Sequence, residues 1–311
     1  MAVSFNKKVL RSMLVFILIT VITAVTVSLL PKNKVPKKDI NNWDGFGLRF
    51  IAISEQRVSD SNMLFKIINN DDLQGYVTLN NYHQNRQTFL LTVFLDYQQI
   101  DIGLNNIRKK IHRFTLEPQE SMSFQFKLAI PEGMHDLFVA LIRDPDENSS
   151  QLFMPQEKII FRRAVVQKGK SRKHSEISIS NADYLTGVNI GGVSFINRTD
   201  NSVITNWPIG DSLLLNISVP TQKVKSYILI ALLNGEQIQF SNHGNNYVAS
   251  LHQLATDGPI KMPIFLNTFK TGQLIFVLVP NPYTFRENEQ GIISKDVFWA
   301  ITATPKVQIY E

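Results

Sequence analysis

Residues 121–130, SMSFQFKLAI, alternate without a break. Met122, Phe124, Phe126, Leu128 and Ile130 point one way, and Ser121, Ser123, Gln125 and Lys127 the other. A period of two over this length predicts a strand with one face in a core. Similar short runs occur at 47–54, 62–68, 75–80, 88–95, 110–116, 135–143 and 158–166, most of them separated by Gly, Pro, Asn or Asp. No stretch beyond residue 45 sustains a 3.6-residue period. Many short strands punctuated by turn residues predict an all-β sandwich or barrel.

The pattern also repeats. LFVALIRDP from Leu137 returns as LIFVLVPNP from Leu274, an offset of 137. The same offset carries Lys158–Phe161 (KIIF) onto Lys295–Phe298 (KDVF), and an offset of 138 carries FLLTVFLDYQQI from Phe89 onto YILIALLNGEQI from Tyr227. Asp96-Tyr97 then falls where Asn234-Gly235 falls, and Asn-Gly is the strongest short hairpin signal because both positions tolerate φ > 0. Pro145 and Pro282 each follow an apolar run, where a missing N–H ends a ladder. These matches predict a duplication, with a first sandwich over 46–166 and a second over 177–311. Each resembles an immunoglobulin/fibronectin-III-like sandwich. Phe161 and Phe298 are expected to close two equivalent, independent cores.

One segment breaks the strand pattern. Residues 12–30, SMLVFILITVITAVTVSLL, hold no charge, Gly or Pro. As a helix they span roughly 28 Å, the thickness of a bilayer's hydrocarbon core. The run is longer than a signal peptide's apolar region, and Leu29-Leu30-Pro31 is a poor cleavage site. It therefore predicts a single-pass signal anchor, with 1–11 as a cytoplasmic tail and 31–45 as a Pro- and Lys-rich linker. The flanking charges scarcely favour one orientation, since basic residues stand on both sides. The near-neutral, cysteine-free strand body suits an extracytoplasmic location.

Charge changes the picture only by its location. The net charge is +6. Residues 1–38 carry seven basic side chains and no acidic one, leaving 25 basic and 26 acidic groups on 39–311. A nucleic-acid-binding body carries its basic excess on the folded domain, so nucleic acid is not an expected partner. With no cysteine, disulfides, cysteine-ligated metals and thiol catalysis are excluded.

Candidate chemistry is sparse. The sequence has no G-x-S-x-G, H-E-x-x-H, P-loop or dinucleotide fingerprint, and its six histidines show no ligand spacing. No catalytic residue or cofactor is expected. Asp144, Asp146 and Asn148 alternate like the opening of a calcium loop, but Ser149 and Pro155 stand where such a loop needs Gly and Glu. An ordinary acidic loop is the better reading, and metal the weaker one. Lys168, Lys170, Arg172 and Lys173 concentrate charge in the segment 167–176. A solvated linker accounts for them, with contact to an anionic polymer or lipid headgroups as the alternative. Trp43, Trp207, Tyr82 and Tyr283 are candidates for sugar stacking, although core packing explains such rings as well. The expected role is a non-enzymatic, membrane-anchored interaction or scaffold protein of the cell envelope that meets a protein partner. Binding of a glycan or cell-wall polymer through exposed aromatics is the alternative.

Overall fold

The computed structural model describes residues 45–52, 64–67, 72–147, 158–170, 180–181, 185–187, 192–218, 226–241, 248–252, 258–268, 270–281 and 301–311. Asp44–Glu311 form one compact unit, separate from Met1–Trp43. The expected span at 12–30 lies outside the described residues, among which no helix is long and apolar enough to cross a membrane.

The described elements are all β-strands. The first half contains β1 (Phe46–Ala52), β2 (Leu64–Ile67), β3 (Leu73–Asn81), β4 (Gln87–Leu95), β5 (Gln98–Ile100), β6 (Ile102–Leu104), β7 (Ile107–Lys109), β8 (Ile111–Leu116), β9 (Ser121–Leu128), β10 (Gly133–Arg143) and β11 (Ile159–Lys168). They form two sheets, ordered β1-β3-β9-β6-β7 and β2-β11-β10-β4-β5, with β8 also on β4. The second half contains β12 (Ser180–Asn181), β13 (Leu185–Thr186), β14 (Gly192–Ile196), β15 (Asn206–Pro208), β16 (Leu213–Ser218), β17 (Ser226–Leu233), β18 (Glu236–Ile238), β19 (Phe240–Ser241), β20 (Val248–His252), β21 (Ile260–Leu266), β22 (Gly272–Pro280), β23 (Thr302–Ala303) and β24 (Val307–Tyr310). Its sheets run β12-β20-β17-β22-β24-β15 and β13-β21-β16-β14, with β18 on β17, β23 on β22 and β19 on β21.

Within each half the two sheets bury a shared core. Leu48, Val77, Leu79 and Phe126 from one sheet meet Phe89, Leu91, Val93, Leu137, Val139 and Leu141 from the other. In the second half Phe195, Leu215, Met262 and Ile264 meet Leu229, Ala231, Phe276 and Leu278.

The pairing registers repeat strand by strand. Leu95 opposes Leu137 as Leu233 opposes Leu274, and Phe89 opposes Arg143 as Tyr227 opposes Pro280. Val77 opposes Phe124 as Leu215 opposes Met262. Gly103 opposes Lys127 as Ser241 opposes Phe265. Leu95 opposes Gln98 as Leu233 opposes Glu236. Both hairpin turns take left-handed backbone, with φ of 48° and 68° at Asp96 and Tyr97 and of 54° and 84° at Asn234 and Gly235.

Phe161 departs from its expected place. It opposes Ala140, whose counterpart Val277 opposes Ala303, so the residue equivalent to Phe161 is Ala303 and not Phe298. Phe298 itself lies outside the described residues. Nor does Phe161 close the first sandwich. Along β11, Ile160, Ala164 and Val166 face that core, while Phe161 is half-buried on the opposite face.

That opposite face belongs to a third core. Leu90, Phe94, Phe138, Ala140 and Ile142 of the first half pack with Ile228, Ile230, Leu232, Ile275, Val277 and Val279 of the second. The stretches LFVALI and LIFVLV are apolar at successive positions because β10 and β22 are covered on both faces. The expected picture of two independent cores is thereby corrected: the sandwiches share a buried joint.

Gly235 shows how tightly the joint is fitted. A Cβ there would lie 2.4 Å from Leu90 Cδ1, and its φ of 84° is one that L side chains seldom adopt. Gly235→Ala should therefore cost upwards of about 1 kcal/mol in urea unfolding, above the usual effect of a turn substitution. An unchanged midpoint would mean that the turn and Leu90 move apart freely.

Candidate functional site

The densest groups of ionisable side chains lie at the joint. The Asp96-Tyr97 turn sets up the first group. Asp96 N–H donates to Asp136 O at 2.8 Å, and Asp136 N–H donates to Asp96 Oδ1 at 3.0 Å. Asp96 Oδ2 lies 2.6 Å from His135 Nδ1, and His135 Nε2 lies 3.1 Å from Pro131 O. Both ring nitrogens face acceptors, an arrangement that favours the protonated ring. Tyr97 OH donates to Asp136 Oδ2 at 2.7 Å. Arg163 donates from Nε to Asp136 Oδ1 at 2.9 Å and from Nη2 to Oδ2. Its Nη1 also reaches Pro280 O at 2.7 Å, and its Nη2 reaches Asn281 O at 3.2 Å. Asp136 is 1% exposed and Arg163 6%, so this bidentate pair sits away from water and clamps the first sandwich to the end of β22.

Burial alone would lower the pKa of Arg163, and the charge and hydrogen bonds of Asp136 reverse that, so it stays charged. Burial is also the largest influence on His135 and pushes its pKa down. The hydrogen bond and charge of Asp96, with the Pro131 and Glu132 backbones, together outweigh it, and the pKa ends above the ordinary 6.5. A raised pKa on folding means a stabilising contribution that is complete below the unfolded value. It is lost as pH rises through the folded one. Over about pH 6 to pH 9 the urea midpoint of the native chain should therefore drop relative to that of His135→Gln. Equal drops in both proteins would exclude His135 as the source.

A second group surrounds Lys306. Its Nζ donates to Arg143 O at 3.0 Å and to Asp144 O. Burial, then the neighbouring Lys158, lowers its pKa to about 8. Lys158 Nζ lies 2.6 Å from Glu147 and 3.5 Å from Asp144, and its hydrogen bond is the main cause of the lowered Glu147 pKa.

The same geometry places the weak metal candidates Asp144 and Asp146. Asp144 Oδ2 lies 3.4 Å from Arg143 Nε, and the Gln87 amide, oriented to donate, reaches both Asp144 oxygens at 2.7 and 2.8 Å. Asp146 pairs with Arg113 at 2.6 Å. The two carboxylates thus turn to different cations, and Asn148 lies outside the described residues. No group of three metal-ligating side chains occurs among the described residues.

The basic candidates divide. Lys168 belongs to β11, and its ammonium donates to Ile130 O at 2.9 Å. Lys170 is exposed, and Arg172 and Lys173 lie outside the described residues. Of the aromatic candidates, Trp207 is half-buried against the second core. Tyr82 is half-buried in the first sandwich, where a Cβ on Gly47 would lie 3.2 Å from its ring. Trp43 and Tyr283 lie outside the described residues. Among the described residues, the large apolar side chains left most exposed are Tyr76, Ile107, Leu185, Phe265 and Tyr310, of which Ile107, Leu185, Phe265 and Tyr310 were not sequence candidates.

Two open grooves accompany these features. One of about 500 Å³ lies on the first sandwich beside Asp72, Asn105, Arg108 and Lys127. Another of about 640 Å³ follows the seam between the halves, beside Lys109, Phe114, Glu236 and Lys270.

No family model matches the chain. No curated protein matches it either. Among solved structures it is similar to a CARDB domain from Pyrococcus furiosus in complex with di-metal ions, at 13% identity over 40% of this chain and 93% of that one, with a TM-score of 0.24. It is also similar to the calcium binding domain CBD12 of CALX1.1, at 8% identity over 70% of this chain and 77% of that one (TM-score 0.23). A third is the C-terminal domain of the Streptococcus agalactiae AgI/II polypeptide BspA, at 8% identity over 84% of this chain and 99% of that one (TM-score 0.23). Likenesses this distant carry no argument about function, and the all-β fold rests on the strands and cores themselves.

Proposed function

We propose that this chain is a membrane-anchored, extracytoplasmic interaction protein of the cell envelope, non-enzymatic, presenting two joined immunoglobulin/fibronectin-III-like sandwiches to a protein partner. The observation that carries the reading is where the ionisable groups go. Asp96, His135, Asp136 and Arg163 satisfy one another in the joint, whereas Tyr76, Ile107 and Phe265 face outward from β3, β7 and β21. The strand orders β1-β3-β9-β6 and β11-β10-β4 support the immunoglobulin-like assignment, since they follow the A-B-E-D and G-F-C orders of that fold. The anchor rests on the uncharged run 12–30.

The absence of cysteine gives a clean test. Ile107 is 57% exposed, so Ile107→Cys would carry the chain's single thiol on its surface. A membrane-impermeant maleimide should label it in spheroplasts before lysis. Labelling only after lysis would sink the extracytoplasmic placement. Binding of the detergent-solubilised full chain to purified wall polymer, abolished by Trp207→Ala, would replace the protein partner with a glycan.

A further inference from the structure

The polar contacts across the joint come in reciprocal pairs. Gln99 N–H donates to Gln237 Oε1 at 2.7 Å, and Gln237 N–H donates to Gln99 Oε1 at 2.9 Å. Gln99 Nε2 reaches Gly235 O at 2.8 Å, and Gln237 Nε2 reaches Tyr97 O at 2.9 Å. Gln99 and Gln237 stand 138 residues apart, as do Tyr97 and Gly235, and this is the offset of the repeat.

The buried cations obey the same rule. Arg163 precedes Ala164, the partner of Leu137, and Lys306 precedes Val307, the partner of Leu274. Arg163 reaches the carbonyls of Pro280 and Asn281. Lys306 reaches those of Arg143 and Asp144, which occupy the matching positions of the first half. The apolar floor is matched too: Leu90 with Ile228, Phe94 with Leu232, Phe138 with Ile275, and Ala140 with Val277.

Contacts in which residue i meets j' while j meets i' define an isologous interface about a twofold axis. Two domains pressed together only by a short connection have no reason to be reciprocal. The observed reciprocity extends from the Gln99–Gln237 pair to cations of different chemistry, Arg163 and Lys306, that perform one task.

We infer that the two sandwiches are the protomers of an isologous dimer carried within one chain. The face built on β4 and β10 is a docking surface, and the partner it fits is a second sandwich of the same kind. The faces hold the pair together, and the connection beyond β11 is dispensable for that association. The halves have also diverged at the joint: Asp96, His135, Asp136 and Arg163 correspond to Asn234, Gly272, Gln273 and Lys306. The ionised set of the first sandwich has no copy in the second, so the present pair is a heterodimer in chemistry and a homodimer in geometry.

A specific protease site inserted within residues 171–179 of the full chain tests this. After cleavage, the two pieces should elute from a sizing column in detergent as one species of the uncut size, separating only in denaturant. Pieces that elute apart without denaturant would overturn the inference. A second measurement needs no insertion. In the cysteine-free chain, Gln99→Cys with Gln237→Cys should be joined by a short bis-maleimide in the folded protein and not in urea. Failure to join in the folded protein would equally overturn it.

Discussion

Truncating Phe138 to alanine is expected to lower stability by about 3–5 kcal/mol and to shift the melting of both sandwiches together. Phe138 has no exposed surface and stacks on Phe94, with ring centroids 4.5 Å apart and planes 10° from parallel. It also meets the edge of Phe161 at 6.4 Å. The loss is a large share of the roughly 5–15 kcal/mol that holds a domain folded. Phe138 faces the joint, so the cavity opens in a core to which both halves contribute. A repeat read as two separate cores implies two endotherms, with only the first moved by this change. The shared core implies one endotherm for 45–311, displaced as a whole. Calorimetry of the native chain and of Phe138→Ala distinguishes them, and a second endotherm left in place would refute the coupling. Phe161→Ala, at a half-buried site on the rim of the same core, should cost clearly less.

Asp136→Ala is expected to cost a comparable amount, about 3–5 kcal/mol, for a different reason. The carboxylate accepts from Tyr97 and makes a bidentate pair with Arg163. Its removal leaves a guanidinium that is 6% exposed without the carboxylate that balances its charge, beside Tyr97 and the carbonyls of Pro280 and Asn281. Breaking a buried pair from one side is far worse than removing both partners. Asp136→Ala with Arg163→Met should therefore recover much of the loss. Urea unfolding of the single and double variants measures the coupling. If Asp136→Ala alone costs under about 1 kcal/mol, water reaches the guanidinium and the clamp is not a dry one.

The strands and the repeat of their pairing registers were legible in the sequence because both leave short-range signals. Alternation at 121–128 gave β9, and the matched Asp96-Tyr97 and Asn234-Gly235 turns gave two hairpins with the same left-handed backbone. The joint also left a signal, in the unbroken apolar text of β4, β10, β17 and β22. An unbroken run announces that both faces are covered, although it does not say by what. The Phe161–Phe298 match misled for a definite reason. Ala140 and its partner Phe161 are 21 residues apart, while Val277 and its partner Ala303 are 26 apart, so the return connection of the second half is five residues longer. An offset of 137 taken from Lys-x-x-Phe does not register a longer connection, across which the ladder partners are offset by 142. The Asp96–His135–Asp136–Arg163 network was beyond reach, because its members come from two strands and a turn and no motif connects them. The calcium-like spacing at Asp144 and Asp146 was real as spacing, but the cations beside those carboxylates are the side chains of Arg143, Lys158 and Arg113.

The shared core also sets an order of events during synthesis. The first sandwich has all its strands once Lys168 has emerged, yet the face bearing Leu90, Phe94, Phe138 and Ile142 stays bare until β17 and β22, which end at Pro280, and then Ala303 of β23 arrive. At about 5–20 residues per second, that leaves a sticky apolar face bare for roughly 5–20 seconds on every nascent chain. Neighbouring ribosomes on one message hold identical faces at that moment. A holding chaperone, or threading through a translocation channel one chain at a time, would keep them from pairing with one another before each meets its own second half.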